Sequence, residues 1–226
     1  MSKERKTVLG VLLVLIFSCT LMYFIEVMVK PGYFVKSVWK CGAFVIIPLI
    51  YCAVDRNIAL KDFFMVSTRK QLMRTLALGV GVYVFILCGY LALAQFIDLN
   101  NIATKLSENL RVNKDNFIFV ALYISFINSL LEEFFFRGFA FLSLNKVLPR
   151  FISYTISAFA FSAYHIAILT GWFSPWLFAT LIVGLFISGL FFNWLNEKSK
   201  NIYNSWIVHI SANFAINTIG LIMFMG

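Results

Sequence analysis

The chain has 226 residues, 61% of them hydrophobic and only 13% charged, with a formal charge of +9. Its apolar share is too high and its charged share too low for a soluble globular domain. The basic residues lie in short clusters between apolar runs rather than on one patch, which argues against a nucleic-acid partner and for a polytopic membrane protein obeying the positive-inside rule. The expected fold class is all-α: one integral membrane domain over residues 1–226, a bundle of about seven transmembrane helices with interfacial helices between them.

In chain order, Lys3, Arg5 and Lys6 precede an apolar run from Thr7. No small-residue cleavage site follows, so this run is expected to be an uncleaved first anchor. At about 20 residues per crossing, the hydropathy predicts spans near 7–29, 34–54, 73–97, 117–144, 151–170, 174–195 and 202–225. With the N-terminus on the cytoplasmic side, that side carries Lys3, Arg5, Lys6, Arg56, Lys61, Arg69, Lys70, Arg74, Lys146, Arg150, Lys198 and Lys200. The other carries Lys30, Lys36, Lys40, Lys105, Arg111 and Lys114, a bias that sets the orientation. A bacterial plasma membrane is the expected location.

Cys19, Cys41, Cys52 and Cys88 fall in or beside apolar segments with no CxxC pair and no ligand spacing, and read as small core hydrophobes. Residues 56–74 mix Lys61, Arg69 and Lys70 with Phe63, Phe64, Met65 and Val66, which suits either a segment on the membrane surface or a charged connecting loop. From 98 to 116, Ile102, Leu106 and Leu110 recur among Lys105, Glu108 and Arg111, as in an interfacial helix. Glu26 and Gln95 sit near span ends, where they can snorkel, and carry no chemistry in this reading. Pro48 is placed to kink the second span, and Pro149 and Pro175 to start helices.

The polar exceptions begin in the fourth span, where Glu132, Glu133 and Arg137 interrupt an apolar run. One charge at the bilayer centre costs about 2.5 to 3.5 kcal/mol, so these must be paired or buried in protein. On an α-helix Glu133 and Arg137 are i, i+4 and can neutralise each other, whereas Glu132 shares its face with Asn128 and Phe136. Glu132 is thus expected to be a buried carboxylate with no cation beside it, made more basic by desolvation and suited to general-base work.

The two histidines, His165 and His209, both fall in predicted spans. Phe161 lies one turn before His165 and is placed to hold its ring, and Asn213 and Asn217 follow His209 at one-turn intervals. Counting about 1.5 Å per residue from the cytoplasmic ends puts His209 about 10 Å deep and His165 about 20 Å deep.

Glu132-Glu133-xxx-Arg137, Phe161-xxx-His165 and His209-xxx-Asn213, in this order on three spans, resemble the CAAX protease and bacteriocin-processing (CPBP, or Abi) family of intramembrane proteases. The resemblance covers about 117–220, a family-like catalytic core, and every motif position is filled. It implies a hydrolase that cuts a peptide bond: Glu132 as general base, His165 helping to hold and activate the water, His209 and Asn213 as oxyanion donors. Glu133, Arg137 and Phe161 would organise the site. The implied partners are the lipid bilayer and a peptide or membrane-protein substrate, with no cofactor. The rival reading is zinc held by Glu132, His165 and His209 with one open position, against which stand the lack of HExxH and of a carboxylate behind either histidine. A further alternative is a non-catalytic immunity or transport protein that uses the polar cluster for packing or proton relay.

Overall fold

A computed structural model describes residues 2–98, 101–102, 104 and 112–225, with the side chains of 224 and 225 excepted. Among the described residues, seven helices are long and apolar enough to cross a membrane: α1 (Lys3–Val29), α2 (Tyr33–Val54), α3 (Arg69–Phe96), α4 (Phe117–Leu142), α5 (Arg150–Leu169), α6 (Pro175–Ser199) and α7 (Tyr203–Met223). These agree with the hydropathy reading to within a few residues, and the described residues contain no β-strand. Most of the expected 98–116 helix, including Lys105, Leu106, Glu108, Leu110 and Arg111, lies outside the described residues.

Local chemistry sets the helix ends. Thr68 and Gln71 form a capping box at the start of α3. Pro149 precedes the first residue of α5, and Pro175 opens α6, where a missing N–H is harmless. In α2, Pro48 follows a wide π-type turn over Gly42–Ile46, which accommodates the proline that an unbroken α-helix would resist.

The organising element is α4. From Glu133 to Phe141 every side chain is buried, and the backbone runs in wide π turns from Glu133 to Leu142. A helix apolar on all sides belongs in the interior, and the other helices close around it. Phe44 of α2 stacks on Phe135 at 4.2 Å, and Phe136 meets Phe161 edge-on at 5.5 Å. Close approach of backbones fixes two pairs outside it. Gly189 of α6 has room for no Cβ against Ala158 of α5, and Gly79 of α3 lies under Ser211 of α7.

The segment from 56 to 68 is neither a free loop nor wholly a surface helix. Leu60–Phe63 makes a short 3₁₀ turn, Phe63 is buried against Gly138, and its carbonyl accepts from the N–H of Ile202. Phe64, Met65 and Val66 remain exposed. The cysteines correct the core reading in part: Cys52 is buried, whereas Cys41 and Cys88 are exposed, because a lipid-facing surface is as apolar as a core.

At the end of the bundle nearest the N-terminus, Asp55 ties α1 to α2. It accepts from the Thr7 hydroxyl at 2.6 Å, the Tyr51 hydroxyl at 3.2 Å, and the backbone and side-chain nitrogens of Asn57. Partial burial acts to raise this carboxyl, but the donors outweigh it and hold it below the ordinary carboxylate value.

Candidate active site

The site is assembled by four helices around Glu132, a residue about two turns before the end of α4. Glu132, Glu133 and Arg137 are all buried, and so is His209. Asn128, one turn earlier, donates its amide to Glu132 Oε1 at 3.0 Å, as their shared face predicts.

The expectation that Glu132 has no cation beside it is corrected. The Lys40 ammonium of α2 lies 2.5 Å from Oε1 and also donates to Asn128 Oδ1. Lys40 is therefore not an outer flanking charge but a buried partner. Two unpaired charges would each cost several kcal/mol in this interior, and together they neutralise each other.

Both donors sit on Oε1, which leaves Oε2 facing the histidines. His209 Nε2 is 3.7 Å from Oε2 and His165 Nε2 is 3.9 Å from it. The unequal depths obtained by counting residues do not keep the two rings apart, because helix ends are not level and α5 delivers His165 from near its far end.

The outer nitrogens of both rings are anchored. His165 Nδ1 lies 2.7 Å from the carbonyl of Phe161, which can only accept, so Nδ1 carries the proton and Nε2 is the free nitrogen of the neutral ring. The Phe161 ring also packs on His165 at 4.6 Å, so this residue holds the histidine twice. His209 Nδ1 lies 2.9 Å from Glu133 Oε1, and the His209 ring stacks on Phe192. By the same reasoning His209 can donate from Nε2 only when it carries a second proton.

Glu133 thus has two partners. Its Oε2 is 3.6 Å from Arg137 Nε, the i, i+4 pair expected, while Oε1 orients His209. The Arg137 guanidinium is flanked by aromatic rings, 4.0 Å from Phe161 and 5.0 Å from Phe192, which supply cation–π attraction. The structure brings Glu132, Glu133, Arg137, Phe161, His165 and His209 together. It places Asn213 differently: its amide donates to the Ile124 carbonyl, two turns before Glu132 on α4. Asn217 makes similar bonds to Ala121 and Ser125.

Lys40 and Phe192 escaped the sequence reading. Lys40 carried a signal, since a lysine seven residues into an apolar helix is too deep for an ordinary flanking charge. Phe192 carried none, being one of 26 phenylalanines.

The structure also removes one argument against zinc, because Glu133 is a carboxylate behind His209. Two observations replace it. Ligands around tetrahedral zinc stand about 3.3 Å apart, given bonds of about 2.0 Å, whereas Glu132 Oε2 stands 3.7 and 3.9 Å from the two nitrogens. The Lys40 ammonium on the same carboxylate also disfavours a nearby dication.

Comparison with known proteins agrees with the motifs. Residues 114–215 match the family described as type II CAAX prenyl endopeptidase Rce1-like, in agreement with the resemblance to CPBP-type intramembrane proteases. No curated protein and no solved structure matches the chain.

Proposed function

Proceeding from that family match, we propose that the protein is a metal-free intramembrane endopeptidase of the CAAX prenyl type, in which Glu132 activates the attacking water. The observation that carries the reading is the convergence of Glu132 Oε2 with His165 Nε2 and His209 Nε2, in a buried cluster where Glu132 Oε1 and the Nδ1 atoms of both rings are already engaged.

Glu132 Oε2 takes a proton from water as the water oxygen attacks the scissile carbonyl carbon. His165, its Nδ1 fixed on Phe161, presents Nε2 as an acceptor that orients the second water hydrogen. The carbonyl electron pair moves to oxygen, where protonated His209 Nε2 and the second N–H of Asn213 are the proposed donors. Collapse breaks the C–N bond, and Glu132 returns its proton to the leaving amine. Helix packing excludes bulk water, so these few charges and dipoles act at full strength. The bilayer and a peptide or membrane-protein substrate are the partners this chemistry requires. The charge bias supports an N-terminus in the cytoplasm.

The test uses purified full-length protein in lipid nanodiscs and a farnesylated peptide ending in a CAAX motif, with products followed by mass spectrometry. The wild type should cut it, and Glu132→Gln should not while remaining folded. Full biological activity in Glu132→Gln would favour the immunity or transport reading. Stoichiometric zinc whose chelation abolishes cleavage would overturn the metal-free step.

A further inference from the structure

We propose that Lys40 is a positioning residue for the catalytic carboxylate, supplied by the half of the chain that lies outside the family match. The inference rests on the peptidase reading above and adds to it the group that decides which oxygen of Glu132 acts as the base.

Three observations converge on Lys40. Its ammonium bonds both Glu132 Oε1 and Asn128 Oδ1, and Asn128 in turn donates to the same Oε1. This triangle fixes rotation of the carboxylate, so that Oε2 and not Oε1 faces the two histidines. The ammonium is itself held in place, buried 4.9 Å from the Tyr164 ring and 5.4 Å from the Phe44 ring. Finally, the charges that surround it leave Glu132 as its partner. Lys36, one turn earlier on α2, is paired with Glu26 of α1 at 2.5 Å, so Lys40 is not drawn outward by that carboxylate.

The backbone reinforces the arrangement. Phe44, one turn after Lys40, stacks on Phe135 of α4, which sets α2 in register with the helix that carries Glu132. A lysine introduced merely to neutralise a buried charge needs no such register. One that selects an oxygen does, because a displacement of about 1 Å at a reacting group can cost about 10²-fold in rate.

The experiment compares Lys40→Met and Lys40→Arg with wild type on the farnesylated CAAX peptide in nanodiscs. Lys40→Met should lower kcat on the order of 10²-fold with KM unchanged, and Lys40→Arg should recover most of that loss by restoring a cation. Wild-type kcat in Lys40→Met, or a change confined to KM, would overturn the proposal. A second measurement needs no activity: the Tm losses of Lys40→Met and Glu132→Gln should be strongly non-additive in the double variant. Additive losses would sink the link between the two residues. If wild type fails to cut the peptide, the peptidase reading falls while the thermal cycle still decides the Lys40–Glu132 contact.

Discussion

Two carboxylates in this molecule take several donors each, yet they are built for different ends. Asp55 divides its partners evenly, with Asn57 on Oδ1 and the Thr7 and Tyr51 hydroxyls on Oδ2. Glu132 receives Lys40 and Asn128 on one oxygen only, and turns the other towards two imidazole nitrogens. The number of bonds does not separate a structural tie from a reactive group. Their distribution differs: Asp55 is satisfied on both oxygens and ties helices together, whereas Glu132 is satisfied on one side and leaves the other oxygen free for the proposed role of base.

The comparison breaks most severely at Glu132. Glu132→Gln keeps the shape and the Oε1 acceptor but removes the proposed base, and peptide cleavage should fall on the order of 10³-fold in the nanodisc assay. The protein should still insert and fold. Removing Glu133 should act on both structure and chemistry. Glu133→Ala strands the buried Arg137 and releases His209 Nδ1, so folded yield should drop, with a loss of about 3 to 5 kcal/mol in unfolding measurements.

Asn213→Ala sharpens the assignment of the oxyanion donors. If its free N–H serves the transition state, kcat should fall about 10²- to 10³-fold. Loss of the bond to Ile124 alone should cost only about 0.6 kcal/mol of stability and leave kcat near wild type. Asp55→Asn is the mildest change and the pH control. A carboxyl held below its ordinary value contributes stability above its unfolded pKa of about 3.9, and that contribution is lost as pH falls through the lower folded value. Thermal scans of wild type should therefore lose stability below about pH 4 to a degree that Asp55→Asn does not reproduce. Cleavage at neutral pH should change little.

Much of the site was legible because helix periodicity is a local property. The pairing of Glu133 with Arg137, the shared face of Asn128 and Glu132, and the support of His165 by Phe161 all lie within one turn and needed no tertiary information. The partner of Glu132 was not legible in this way. Lys40 is 92 residues away in sequence, and charge counting assigns it to the outer side although its depth in the helix marks it as unusual. The hydrogen bond from His209 to Glu133 was hidden for the same reason, since periodicity says which residues share a face but not which faces meet.

By itself the sequence determined seven membrane spans, their approximate limits, and the three polar motifs that mark a protease family, because apolar length and helical spacing are written in consecutive residues. Only the tertiary structure decided how the charges are shared. It gave Glu132 a lysine from another helix, gave Glu133 both an arginine and a histidine, and gave Asn213 a carbonyl. The physical reason is that a buried charge must find a partner wherever packing brings one within reach, and packing is a property of the whole bundle.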